Sequence, residues 1–269
     1  MVVFIMILQP GIGINTVVAF MGPIFESVGI GREGPLDANE IAALCFGVVA
    51  VIATFSSIFV VDRFGRRVSL FFGSLGLFVG MLLLTAYYGV VIGGIVELNT
   101  TQPRSNTCDL FPEVPIKDIS MASKLSPLAI VGLVIYVASF SLSWGPVPWI
   151  LAGEIFPDEV RTLGGGVGVA ANWSTTVLLA FLFPVLSIAI GETVPFLLFA
   201  LTSFLSALFV IFFIPETKGL SLEESSNIKF SISRNVKEFF LLMKDCVKCC
   251  RINCKYKHLD QDSTNFLTT

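Results

Sequence analysis

Residues 194–214 read VPFLLFALTSFLSALFVIFFI, and none of them is charged. A helix rises 1.5 Å per residue, so such a run spans the roughly 30 Å of hydrocarbon in a bilayer. Working outward from it, five further apolar runs of similar length are separated by polar clusters, at 2–25, 41–61, 69–96, 127–151 and 163–190. Each is read as a helix, because an open strand would leave backbone groups unpaired in lipid. The bulk composition agrees. Of 269 residues, 54% are hydrophobic and only 14% charged, against about 25% charged in soluble domains. Mean hydropathy is +0.84. A water-soluble fold, a disordered chain and a nucleic-acid binder are excluded on these grounds. The fold class is an all-α membrane protein of six transmembrane helices, with a bundle over 1–217 and a polar tail over 218–269. The first run is not a signal peptide, since it lacks a basic leader and carries Gln9, Pro10 and Asn15 inside it.

Lys and Arg concentrate in cytoplasmic loops. The 62–68 loop, the 152–162 loop and the tail together hold thirteen of the 17 basic residues, while the opposite side holds Arg32, Arg104, Lys117 and Lys124. The tail is therefore placed in the cytosol, in either the plasma membrane or an endomembrane. The long polar loop over 97–126 then lies on the other side, where Asn99-Thr100-Thr101 is an acceptor triplet for N-glycosylation. Asn172-Trp173-Ser174 has the same form but lies within an apolar run, out of reach of the transferase.

Polar groups inside spans are costly and mark function unless a structural role accounts for them. The interiors hold Gln9, Asn15, Asn172 and three tryptophans, Trp144, Trp149 and Trp173, with no Asp, Glu, Lys, Arg or His near any midpoint. Carboxamides offer both donors and acceptors to hydroxyl groups. An indole adds a flat apolar face and one N–H donor. The inventory suits a neutral, hydroxyl-rich solute; each amide taken singly also fits helix-to-helix hydrogen bonding. Breakers lie beside these residues, with Pro10, Gly11 and Gly13 in the first span and Gly145, Pro146 and Pro148 in the fourth. Interrupted helices at matching positions of two three-helix units point to the central site of a transporter. The spans contain no paired carboxylates, His cluster or Ser–Lys arrangement, so an enzyme is not expected, nor a cofactor or a metal.

Five ordered motifs resemble those of the sugar porters of the major facilitator superfamily, the facilitative glucose-transporter type. They are Asp62-Arg63-Phe64-Gly65-Arg66-Arg67, Gly145-Pro146-Val147-Pro148-Trp149, Glu154-Ile155-Phe156-Pro157 running to Arg161, Asn172-Trp173, and Pro215-Glu216-Thr217-Lys218-Gly219. The resemblance covers residues 1–220 and implies the C-terminal six-helix half of such a carrier, with an N-terminal six-helix half expected in the full-length protein. It implies facilitated transport of a hexose by alternating access. It further implies that Gln9, Asn15, Phe140, Trp149 and Asn172 contact the sugar, and that Asp62, Arg63, Arg66, Glu154, Arg161 and Glu216 form ion pairs at a cytoplasmic gate. The chain departs from the family's pattern at Pro10, Ala19-Phe20, Ala50 and Ser141, where side chains that bond sugar are replaced. A sugar sensor or a partner subunit that does not transport is the alternative reading.

In the tail, residues 232–247 read as a basic amphipathic helix that lies on the membrane surface. Cys246, Cys249, Cys250 and Cys254 follow with His258; the set has zinc-ligand chemistry, but thiols on a basic surface helix fit acylation, or no role at all, better. The Gly164–Gly168 cluster lacks the strand and the G-K-S/T of a phosphate loop and reads as close helix packing. Asn99→Gln is expected to abolish an endoglycosidase-sensitive mobility shift of the full-length protein on a denaturing gel.

Overall fold

A computed structural model describes residues 1–27, 38–96, 119–191, 193–218 and 235–244. Asn99 and the four tail cysteines lie outside the described residues. In chain order the helices are α1 (Val2–Gly11), α2 (Ile14–Ser27), α3 (Ala38–Phe64), α4 (Arg66–Val96) and α5 (Ile119–Ser139). A π-helical turn (Phe140–Trp144), α6 (Val147–Ile155), α7 (Asp158–Ile190) and α8 (Thr193–Phe213) follow. A further helix, α9, covers 235–244. No strand occurs among the described residues.

Six spans are long and apolar enough to cross a bilayer, in the order expected from the sequence. Two are compound. The first joins α1 to α2 through Ile12 and Gly13, the latter at φ 95°. The fourth joins α5, the π-turn and α6 around Gly145 and Pro146. Several helices outrun their apolar runs: α3 continues to Phe64 and α7 begins at Asp158, because charged side chains at a helix end reach the interface while the backbone stays hydrogen-bonded. Gly65, at φ 94°, makes the one-residue turn between α3 and α4, a conformation glycine adopts without a Cβ penalty.

Helix α4 is the packing centre, lying against α5 on one side and α8 on the other. Lipid supplies no hydrophobic drive for helices to associate, so close approach of small residues must provide it. Gly73, Gly76 and Gly80 form that surface on α4. A Cβ at Gly80 would stand 2.8 Å from both the Gly132 carbonyl oxygen and Tyr136 Cβ, and one at Gly76 would overlap Ser139. Elsewhere α1 packs on α7 and α2 on α3, with the π-turn against α3 and α4. Tyr88 stacks on Phe196 at 4.8 Å, and Phe183 meets Phe196 edge-on at 5.9 Å, closing the end of the bundle near the α7–α8 turn.

Enclosure is uneven. Only 6% of the α7 span is buried within this bundle, against 56% of the first span, so α7 presents most of its apolar surface outward. At the charged end, α9 sits across α4 and α8: Phe239 is buried, its ring 4.9 Å from Phe71 and 5.2 Å beneath the Arg67 guanidinium. Asn235 Nδ2 donates to the Phe212 carbonyl at 3.2 Å. This helix falls within the 232–247 segment read as amphipathic. Gly80→Leu is expected to destabilise the bundle by about 1–3 kcal/mol through overpacking, read as a lower melting temperature in detergent, whereas Gly153→Ala, with nothing within 4 Å of its added carbon, should leave it unchanged.

Candidate functional site

Interrupting a helix at membrane depth frees carbonyls that need partners. At the first break, the Gly11 carbonyl accepts from Thr202 Oγ1 at 2.9 Å and the Ile12 carbonyl from the Tyr136 hydroxyl at 3.2 Å. At the second, the Gly145 amide donates to the Phe140 carbonyl at 2.7 Å, closing the wide π-turn. The carbonyls of Trp144 and Gly145 both accept from Gln9 Nε2, at 2.7 and 3.1 Å. Gln9 lies on α1, one residue before Pro10, so its amide joins the two interrupted spans.

The same amide is tied to α7. Asn172 Nδ2 donates to Gln9 Oε1 and to the Met6 carbonyl, each at 2.8 Å. Both side chains are buried at 6% exposure. With both Gln9 donors engaged, the pair offers hydroxyls its acceptors: a second lone pair on Gln9 Oε1, and Asn172 Oδ1. Asn15 is more open, its Nδ2 donating at 3.4 Å to Thr176 Oγ1, one turn along α7 from Asn172. Thr176 in turn donates to the Asn172 carbonyl at 3.1 Å. Phe140 begins the π-turn, with its ring edge 3.6 Å from where a Gly145 Cβ would be. Trp149 follows Gly145 by one turn on α6 and is 42% exposed, leaving an indole face uncovered.

The geometry therefore gathers Gln9, Asn172, Asn15 and Thr176 on the α1–α2–α7 side, with Phe140 and Trp149 across the second break. Trp144 has a different place. It is wholly buried, and its indole Nε1 donates to Ser74 Oγ at 2.8 Å. Trp173, at 61% exposure, points out of the bundle beside Asn172. Thr176, Tyr136 and Thr202 are polar partners that the sequence reading did not single out; isolated hydroxyls in apolar runs carry no pattern of their own.

At the opposite, charged end, Arg66 Nη2 pairs with Glu154 Oε1 at 2.9 Å, and its Nη1 reaches Asp62 at 3.8 Å. The other Glu154 oxygen accepts from Thr217 Oγ1 at 2.6 Å. Glu216 faces backbone rather than a guanidinium: its Oε1 accepts from the Arg66 amide at 3.1 Å and its Oε2 from the Arg67 amide at 3.2 Å. A carboxylate there caps the positive N-terminus of α4. Any side chain at Gly65 would collide with it, since a Cβ would come 2.6 Å from Glu216 Oε2. Lys218 Nζ donates to the Arg63 carbonyl at 2.6 Å. Arg161 pairs with Asp158 at 2.6 Å and donates from Nε to the Phe156 carbonyl at 3.3 Å. The Arg63 guanidinium lies 6.0 Å from the Phe64 ring centroid. Arg67 is buried and donates to the carbonyls of Val210 and Ile211 at the end of α8, at 3.4 and 2.6 Å.

No group of acidic, His or Cys side chains that could hold a metal ion occurs among the described residues. The free carboxamide acceptors have the chemistry to take hydroxyl protons, and the charged groups tie helix ends together. A family model described as "Sugar (and other) transporter" matches residues 1–228. The chain belongs to this family of membrane transporters, in the major facilitator superfamily; it is not an enzyme. It is 34% identical over 233 residues to the facilitated trehalose transporter Tret1 of Bombyx mori, covering 87% of this chain and 40% of that protein. With the glucose facilitated diffusion protein of Zymomonas mobilis it shares 31% identity over 222 residues, 80% of this chain and 39% of the relative.

Among solved structures, the proton:xylose symporter XylE bound to 6-bromo-6-deoxy-D-glucose superposes with a TM-score of 0.62 at 29% identity, covering 83% of this chain and 41% of that one. An inward-open conformation of XylE from E. coli gives a TM-score of 0.60 at 28% identity, over 83% and 40%. The chain thus spans about two-fifths of the length of these relatives.

Gln9→Leu is expected to destabilise the bundle by roughly 1–3 kcal/mol, because it strands the Trp144 and Gly145 carbonyls and the Asn172 amide. Asn15→Leu, with one long bond at an exposed position, should change stability by less than about 0.5 kcal/mol; thermal denaturation in detergent measures both.

Proposed function

We propose that the protein carrying this chain moves a hexose across a membrane by alternating access, and that the 1–217 bundle supplies one wall of its sugar site. The observation that carries the reading is the buried Gln9–Asn172 pair, held at 2.8 Å where two interrupted spans meet, with the uncovered face of Trp149 nearby. Their fixed acceptors would take hydroxyl protons while the indole covers the apolar face of a pyranose ring. Asn15 and Phe140 would complete this wall. The absence of Asp, Glu, Lys, Arg and His near the midpoint of the described spans favours a neutral solute. Sugar transport is the activity of the family; the choice of hexose, and facilitated rather than driven movement, rest on this reading of the wall. Trehalose, named for several relatives, consists of two glucose units, so one hexose-sized wall serves either solute.

The charged end is proposed to be the cytosolic gate, with the 218–269 tail on the same side. Arg66 bound to Glu154, and Glu154 bound to Thr217, join the ends of α4, α6 and α8. Asp62, Arg63, Arg161 and Glu216 surround this knot. An N-terminal six-helix half would close against it. Separating the halves would hydrate these charges, and closing them would restore the pairs.

Uptake of labelled glucose and trehalose by vesicles bearing the full-length protein tests the proposal. Asn172→Ala and Trp149→Ala should each lower initial uptake by about tenfold, the equivalent of one lost hydrogen bond or stacking contact. Arg66→Ala should slow turnover while leaving sugar binding intact. Sugar binding without flux in the unaltered protein would instead identify a sensor.

A further inference from the structure

A sugar hydroxyl both donates and accepts, so a wall that grips it needs donors as well as acceptors. The two buried carboxamides have no donor to give. Gln9 Nε2 carries two protons and spends them on the carbonyls of Trp144 and Gly145. Asn172 Nδ2 spends its two on the Met6 carbonyl and on Gln9 Oε1. What remains on this pair is lone pairs.

Asn15 differs from both. It stands near the start of α2, two residues past the Gly13 break, and is exposed. Its Nδ2 donates to Thr176 Oγ1 at 3.4 Å. A carboxamide nitrogen has two protons, so the second N–H of Asn15 is open to a solute. Of the three carboxamides in the wall, Asn15 is the one that can donate.

Thr176 decides which edge Asn15 turns toward α7. It lies one turn beyond Asn172 on the same face of that helix and is half-buried. A threonine hydroxyl has a single proton, and here that proton goes to the Asn172 carbonyl at 3.1 Å. The same oxygen can then only accept from Asn15. Turning the Asn15 amide over would set its Oδ1 against the lone pairs of Thr176, two acceptors facing each other, so the nitrogen stays on the α7 side. The free N–H of Asn15 is thereby held about one helical turn from Asn172.

We propose that Thr176 is a positioning residue that fixes Asn15 as the amide donor of a wall otherwise made of acceptors. The wall then reads hydroxyls by direction: one gives its proton to Gln9 or Asn172, and another on the same ring accepts from Asn15. This inference rests on the sugar-site reading above and deepens it by assigning a sense to each contact. Replacing a hydroxyl by fluorine removes its proton but keeps a weak acceptor, whereas replacing it by hydrogen removes both. At the ring position that faces Asn15 a fluoro sugar should therefore bind better than the deoxy sugar. At a position that faces Gln9 or Asn172 the two should bind alike.

The test measures equilibrium binding of labelled glucose and trehalose to the full-length protein in detergent, displaced by the complete sets of monodeoxy and monodeoxyfluoro glucoses. In the unaltered protein at least one ring position should show the fluoro sugar binding about fivefold tighter than the deoxy sugar, the worth of one hydrogen bond. Thr176→Val keeps the side chain's shape and removes its hydroxyl; it should abolish that preference without lowering the melting temperature, and Thr176→Ser should restore it. Asn15→Leu is a second variant that should abolish the same preference, and adding Thr176→Val to it should change nothing further. A preference that survives Thr176→Val overturns the proposal, as do losses that add in the double variant. A lower melting temperature with the preference intact would mark a merely structural threonine and overturn it too. Absence of saturable sugar binding by the unaltered protein overturns the sugar-site reading and this inference with it, whereas binding with no preference for fluoro over deoxy sugar at any position overturns this inference alone.

Discussion

In hydrocarbon every backbone carbonyl must find a donor inside the protein, and this constraint organises the bundle. Two of its six spans are interrupted, and each interruption frees carbonyls that solvent cannot serve. Thr202 from α8 and Tyr136 from α5 satisfy those of Gly11 and Ile12, and Gln9 satisfies those of Trp144 and Gly145. Such bonds require α5 and α8 to stand close to the breaks, and Gly73, Gly76 and Gly80 of α4 let α5 and the π-turn approach closely. One of these donors, Gln9, is also part of the candidate site, so the same amide makes irregular backbone tolerable in lipid and lends the site polarity.

A related economy of groups operates at the charged end. Helix ends leave four amides or four carbonyls without intrahelical partners. Glu216 serves two amides at the start of α4, and Arg67 serves two carbonyls at the end of α8. Arg66, which pairs with Glu154, thereby projects from a helix start that is already capped. Removing Glu216 would loosen the start of α4, and with it the backbone from which Arg66 projects.

The number, order and helical nature of the spans were legible because uninterrupted apolar length is a strong signal, as 194–214 shows. The breaks were legible from Pro10, Gly11, Gly13 and the Gly145–Pro148 cluster, since Gly and Pro weaken a regular helix. The π-turn was not, because its sequence, Phe140-Ser141-Leu142-Ser143-Trp144, contains nothing foreign to an α-helix; its register is imposed by packing against α3 and α4. The three-dimensional partners were also hidden. Gln9 and Asn172 stand out as amides in lipid, but their 163-residue separation gives no hint that they touch. Asn15 and Asn172 look equivalent on paper, yet one is exposed and the other buried, a difference set by where α7 crosses α1.

Gln9 bridges both interrupted spans with one carboxamide, and this limits how they can move. If the π-turn and Gly145 shift relative to α1, either the Gln9 side chain travels with them or two bonds must break together. The first course drags α1 and, through Asn172, α7. A hinge pinned in this way resists small fluctuations yet moves as one piece once it yields, so switching would be abrupt rather than gradual, with a rate set by the rupture and re-formation of a few amide contacts.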